Sequence, residues 1–229
     1  MSFAYPVFRP VADHGLLVEF GDRIDNGVHD QVLRLDAGLS AESVPGFLEA
    51  VPAYVNILVR FDPVLTDHAT VEAALRRLIA APAVARRPGQ PREVRVCYEA
   101  ALAPDMAAVV AATGLEAEAI IAAHLAGDYR VYMYGFAPGY AYLAGVPEAI
   151  RLPRKTAPVR GTAAGSVVIA GPQCLVTTMI MPNGWWNIGR SPTRILDGGD
   201  SDRPFLFDVG DSVRFTRITR EQFEAESRA

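Results

Sequence analysis

Tyr134-Gly135-Phe136-Ala137-Pro138-Gly139-Tyr140-Ala141-Tyr142-Leu143 begins a run that continues through Pro153-Arg154-Lys155 and Ala164-Gly165-Ser166-Val167-Val168-Ile169-Ala170-Gly171. It ends at Asn183-Gly184-Trp185-Trp186-Asn187-Ile188-Gly189-Arg190-Ser191-Pro192. From Tyr129 onward short apolar stretches are separated by Gly and Pro, and helical periodicity does not return until Arg220. Turn signals at such regular spacing predict a β-barrel or sandwich. The same run predicts a pocket. Glycines let backbone approach a ligand, prolines fix turns, aromatic rings give flat apolar walls, and a few arginines supply fixed positive charge.

Upstream of this run, Arg92 to Tyr98 alternates, with Val94, Val96 and Tyr98 on one face, as a half-buried strand does. Helices are predicted over Pro104 to Ala112 and Glu116 to Leu125, the second with Ile120, Ile121 and His124 on one side. Nearer the start, Gly15 to Phe20 and Tyr54 to Phe61 read as strands. Each is followed by a helical pattern, Ile24, Val28, Val32 and Leu35 in the first and Val71, Leu75, Leu78 and Ile79 in the second. Asp67 or Thr66 is expected to cap the second helix, and Pro82 and the Arg86-Arg87-Pro88-Gly89-Gln90-Pro91 linker to follow it. The expected architecture is α+β: a small α/β sandwich domain over residues 1–86 and a barrel domain over 92–229.

Bulk properties narrow the function classes. The 229 residues are half hydrophobic and carry a net charge of -4, which argues against a nucleic-acid surface, and the arginine pairs Arg76-Arg77 and Arg86-Arg87 are too short to reverse that. Gly, Pro or charge interrupts every apolar run before a membrane span is reached, so no membrane association is expected. Two cysteines, Cys97 and Cys174, and no apolar signal core near Met1 predict a soluble cytoplasmic protein.

The ordered set Gly135-Phe136-Ala137-Pro138-Gly139, Pro153-Arg154, Ala164-Gly165-Ser166-Val167, Gly184-Trp185 and Gly189-Arg190-Ser191-Pro192 resembles one known family. That family comprises allophanate hydrolase subunit 1 and the B-type subunit of 5-oxoprolinase, a carboxyltransferase domain of subdomain C and D type, and also includes a sensor histidine kinase inhibitor. Val51-Pro52-Ala53-Tyr54 through Asp62-Pro63 and Gly210-Asp211-Ser212-Val213-Arg214-Phe215 extend the likeness over nearly the whole chain. The resemblance implies an N-terminal α/β domain and a C-terminal cyclophilin-like barrel. It implies a homologous second barrel subunit, like allophanate hydrolase subunit 2 or the C-type subunit of 5-oxoprolinase, and in the oxoprolinase case a third subunit. It further implies cleavage of a small-molecule amide at the expense of ATP, with Mg²⁺ as a possible companion. The alternative it carries is inhibition of a sensor histidine kinase by protein-protein binding. Members usually read Gly-Phe-Pro-Tyr-Leu where Gly139-Tyr140-Ala141-Tyr142-Leu143 stands, Pro-Arg where Pro158-Val159-Arg160 stands, a Gly-Gln-Thr-Gly-Ile-Tyr-Pro-like run at Gly171 to Thr177, and Pro-Gly-Gly-Trp at Pro182 to Trp185. These departures mark a diverged member.

ATP-coupled amide opening needs cations for phosphates and donors for a developing oxyanion. Arg154 and Arg190 are the candidate catalytic residues, with Lys155 a further cation. Gly135, Phe136, Pro138, Gly139, Tyr142, Gly165, Ser166, Gln173 and Trp185 are the candidate substrate-binding residues, with Phe136, Arg154 and Trp185 expected around one hollow and Trp186 nearer an interface. The glycines are equally explained as tight barrel turns. Gly161-Thr162-Ala163-Ala164-Gly165-Ser166 lacks the lysine and spacing of a P-loop. His124 is either a general base or a hydrogen-bonded core histidine, and Cys174 either reactive or a buried small thiol. The scattered histidines predict no protein metal site; Asp208 and Asp211 are the residues to consider for Mg²⁺.

Overall fold

The computed structural model describes residues 4–42, 44–82, 88–197 and 204–228. Arg86 and Arg87 lie outside the described residues. The chain divides into two compact units, one reaching Pro88 and the other beginning at Gly89.

In the first unit, β1 (Val7–Val11), β2 (Gly15–Glu19), β3 (Phe47–Pro52) and β4 (Asn56–Phe61) form an antiparallel four-stranded sheet in the order β1-β2-β4-β3. Helices α1 (Asn26–Ala41) and α2 (His68–Ala80) cover one face, because alternate strand residues Leu16, Val18, Ile57, Val59 and Phe61 meet Val32, Leu35, Val71 and Leu75 in a single core. Asp25 and Asp67 stop the chain from fraying at the helix starts: their carboxylates accept from Val28 N at 3.0 Å and Thr70 N at 2.8 Å. The expected strands and helices are present. The two edge strands β1 and β3 are additions, and their exposed faces explain why alternation does not announce them.

The second unit holds β5 (Pro91–Val96), α3 (Met106–Thr113), α4 (Ala117–Leu125), β6 (Tyr129–Tyr134), β7 (Ala141–Ala144), β8 (Val159–Thr162), β9 (Ser166–Ala170), β10 (Gln173–Val176), β11 (Met181–Asn183), β12 (Trp186–Arg190), β13 (Ser212–Arg217) and α5 (Arg220–Glu226). Seven of these strands make one sheet in the order β12-β9-β10-β7-β6-β13-β5. Its two edges meet through Cys97 and Arg190, whose backbone N–H groups each donate to the other's carbonyl at 2.8 and 2.9 Å. A nearly closed barrel results, and the seam fixes the backbone of Arg190.

Strand β9 is buried along its whole length, which its unbroken Val167-Val168-Ile169-Ala170 run foreshadows. Val167 and Ile169 join the barrel interior with Leu143, Cys174 and Val176. Val168 and Ala170 join a second apolar cluster with Tyr140, Leu175 and Trp185. The short pair β8 and β11 forms a separate two-stranded sheet. Among the described residues no single helix is long and apolar enough to cross a membrane.

Candidate functional site

A cavity of about 250 Å³ lies beside the barrel seam, lined by β8, the residues around Asp105 at the start of α3, Ser166 of β9, Trp185, and Asn187 and Arg190 of β12. Its polar groups form one connected set. Asp105 sits at the N-cap of α3 but makes no side-chain cap bond to its own helix. Its carboxylate instead accepts from Lys155 Nζ and, at 2.7 Å, from the backbone N–H of Asn187. The backbone N–H of Asp105 donates to Asn187 O at 3.1 Å, completing the link to β12. The Asp105 carboxylate thus bonds Lys155 and β12 in place of capping its own helix.

Asn187 carries the set onward. Its amide Nδ2 donates to Ser166 Oγ at 3.1 Å while its Oδ1 accepts from Gly189 N at 3.3 Å. Because Ser166 Oγ already accepts a proton, its own O–H is left to donate. Arg190 donates from Nε to Ala164 O at 3.1 Å, and its guanidinium lies 5.8 Å from the Phe223 ring centroid. Arg160, exposed on β8, reaches the same cavity without a carboxylate partner among the described residues. Among the described residues the lining therefore contains three cations, Lys155, Arg160 and Arg190, against the single acid Asp105. Such a balance suits a small anion that also presents a hydrogen-bond acceptor.

Of the residues proposed from sequence, Ser166, Trp185 and Arg190 line this cavity, and Lys155 joins them. Arg154 does not line it: the guanidinium lies over the Trp185 ring, 5.9 Å from its centroid, on an exposed stretch. Tyr142 meets Trp185 edge-on at 5.8 Å, and burial pushes its phenol up against the opposing pull of Arg154. Phe136 is 73% exposed, with a left-handed φ of 70°, and touches Tyr140 at 5.7 Å. Phe136, through Tyr140, and Arg154, over Trp185, thus both adjoin the second apolar cluster. Gly135, Pro138 and Gly139 form the turn under Phe136. Gln173 lies at the start of β10, paired with Ala170 and Ala144.

Gly165 has a stringent backbone role. At φ 80° its absent Cβ would stand 2.4 Å from Ser191 O, so only glycine lets the 163–166 turn approach the loop after β12. Trp186 packs against the barrel core and donates its indole N–H to Pro153 O at 2.7 Å.

His124 lies away from the cavity. Its Nδ1 is 2.7 Å from Tyr98 Oη and its Nε2 is 3.6 Å from Cys174 Sγ, and burial pulls its pKa down to about 3. Burial also pushes the Cys174 thiol well up. Both are core residues. Burial raises the Asp211 carboxyl, but the Asp208 N–H, the Arg92 guanidinium and the Gln90 N–H together hold it below its usual value. These donors engage both of its oxygens at 2.7 to 2.9 Å, so Asp208 and Asp211 do not fit a Mg²⁺ site. Among the described residues no group of three or more His, Cys, Asp or Glu could hold a metal ion.

Asp105 and Asn187 are not legible as site residues in the sequence. Asp105 falls inside the helix expected over Pro104 to Ala112, and only the fold brings it to a backbone 82 residues away.

A family profile described as carboxyltransferase domain, subdomain C and D, matches residues 6–207. The B-type subunit of 5-oxoprolinase from Bacillus subtilis (strain 168) is 32% identical over 98% of this chain and 98% of its own. Its counterpart in Escherichia coli O157:H7 is 40% identical over 54% of this chain and 56% of its own. A crystal structure of TTHA0988 superposes with a TM-score of 0.79 at 32% identity, covering 90% of this chain but 40% of that one. The urea amidolyase of K. lactis, 17% identical, shares the fold at a TM-score of 0.78, over 95% of this chain and 15% of its own.

Proposed function

The chain belongs to the carboxyltransferase domain, subdomain C and D, family, and on that premise we propose that it is the B-type subunit of an ATP-dependent 5-oxoprolinase, a cytoplasmic complex that opens the lactam of 5-oxoproline to glutamate. The observation that carries this reading is the donor set of the cavity, in which Arg160, Arg190 and the Asp105-held Lys155 stand beside Ser166 and the Trp185 ring. Near full-length similarity to the B-type subunit of a 5-oxoprolinase supports the same substrate class.

The substrate has one carboxylate and one amide in a nearly flat ring. Arg190 and Arg160 supply fixed charge for the carboxylate, and Trp185 offers the ring an apolar wall. Ser166 donates to the lactam oxygen, and Lys155 adds positive charge where that oxygen becomes anionic. ATP, as co-substrate, transfers its γ-phosphoryl group to the same oxygen and leaves as ADP; water then adds to the activated carbon, the C–N bond breaks, and phosphate is released with glutamate. Each of the protein's roles here is carried by a side chain lining the cavity.

A homologous barrel protein, the C-type subunit of 5-oxoprolinase, is the proposed partner, with a third subunit in the full complex. The contact surface we assign is the edge bearing Phe136, Met179 and Ile180, which are 73%, 39% and 74% exposed. Thr178 Oγ1 donates to Pro138 O at 2.6 Å and ties the two loops of that edge together. Its exposure also favours a second reading, inhibition of a sensor histidine kinase through the same surface.

Reconstitution with the partner subunits separates the two. Glutamate release from 5-oxoproline and ATP is expected to fall at least about 100-fold in Arg190→Ala, and assembly to weaken about tenfold in Phe136→Ser. A complete set of subunits that releases neither glutamate nor phosphate overturns the enzymatic reading. Kinase inhibition that Phe136→Ser abolishes and Arg190→Ala retains would establish the second.

A further inference from the structure

On the other side of the 164–165 turn lies a second cavity, also of about 250 Å³, bounded by Gly165, the loop from Ser191 to Leu196 and Phe223 of α5. We propose that it is a binding site for a small oxyanion, a phosphate or the phosphoryl end of a nucleotide. Arg190 lines both cavities, so the site is tested at Arg194, which lines this one and not the first.

Charge comes first. Arg190 and Arg194 both line the cavity, and no Asp or Glu does among the described residues. Neither arginine has a carboxylate partner there. Arg190 uses only Nε, for Ala164 O, which leaves its two terminal nitrogens as a free fork. That guanidinium is half-buried and stands over Phe223, where an uncompensated charge is costly and a bidentate anion would relieve the cost. Glu226, also on α5, is already paired with Arg95.

The hydroxyls point the same way. Ser191 Oγ accepts from Thr193 N at 3.1 Å, and Thr193 Oγ1 accepts from Arg95 N at 3.2 Å. Each hydroxyl has its acceptor side engaged by backbone, so each has its proton left to give. Two guanidinium groups and two hydroxyl donors around a cavity without acid form a complement to tetrahedral oxyanions rather than to cations or apolar ligands. The glycine at 165 lets this wall close against Ser191 O, so the two cavities share Arg190 across a thin partition.

Equilibrium titration of the full chain with inorganic phosphate and separately with ATP tests the site. Saturable binding of at least one is expected, weakened about tenfold or more in Arg194→Ala, as the loss of a charged hydrogen bond predicts. Arg214→Ala removes the same charge from an exposed position on β13 and is expected to leave affinity within about twofold. ATP binding about tenfold tighter than phosphate, with both lost in Arg194→Ala, identifies the nucleotide as the source; equal affinities identify free phosphate. Absence of saturable binding for both, or an Arg214→Ala loss as large as that of Arg194→Ala, overturns the proposal. Arg194 is exposed, so its variant is expected to fold.

Discussion

Around His124 and around Asp105, the second unit buries two polar groupings that have opposite characters. His124 is fully enclosed, neutral, and links α4 to the segment after β5 and to β10 through Tyr98 and Cys174, with aromatic contacts to Tyr129 and Phe215 at 5.3 and 4.5 Å. Asp105 and Lys155 are charged, retain 20% and 12% side-chain exposure, and face a cavity. In the first grouping both His124 ring nitrogens meet partners inside the core, and the contacts join elements together. The second holds a cation beside open space, with an acid that does not cap its own helix. If the proposed site is right, buried polarity alone does not mark it, whereas polarity that departs from a local folding rule beside a cavity does.

The largest test of that contrast is Asp105→Asn. It keeps the shape but removes the charge that fixes Lys155, and turnover of the reconstituted complex is expected to fall by about 100-fold or more. Folding stability is expected to drop by only about 1–3 kcal/mol, the cost of one perturbed buried polar contact. Steady-state kinetics beside urea denaturation measure both. An Asp105→Asn complex with unchanged turnover would place this pair with His124, among structural groups.

Next in size is the acid response of His124. Its folded pKa, near 3, lies below the ordinary 6.5. The unfolded chain therefore binds the extra proton between those values, and stability falls as pH falls through that window. The slope reaches at most about 1.4 kcal/mol per pH unit, or about 2 kcal/mol between pH 6.5 and 5. Urea midpoints at several pH values should show this slope in the wild type and a flatter one in His124→Gln. An unaltered slope in the variant would break the assignment of His124 to the core.

The same contrast shows what the sequence can and cannot disclose. Strands with a full apolar alternation, and helices with periodic faces such as the one Asp67 caps, are readable because local pattern and tertiary burial agree. The edge strands are not, since Leu48, Glu49 and Val51 in β3 and Arg9, Pro10 and Val11 in β1 are exposed and mix apolar with polar residues. Within the cavity, Ser166, Trp185 and Arg190 stand out as unusual residues among turn signals. Asp105 reads as one polar residue in the first turn of the expected Pro104 to Ala112 helix, and its bond to Asn187 is visible only once β12 folds beside it. Phe136 does lie in the expected turn, but the positive φ that turns the chain also carries its ring outward.

The smallest expected effect sharpens the boundary from the other side. Cys174 contacts the same histidine, lies fully buried, and has its thiol pushed well above the ordinary value by that burial. The thiolate is the reactive form, so alkylating reagents should label the native protein far more slowly than the unfolded chain. Cys174→Ala should cost about 1 kcal/mol, because a weak thiol contact and a small volume are lost while no strong hydrogen bond is broken. Glutamate release should stay within about twofold, since the side chain points into the barrel rather than to the cavity. Rapid labelling of the native thiol, or a large loss of turnover without a loss of stability, would mean that the core grouping communicates with the ligand side and that the two regions are not separate.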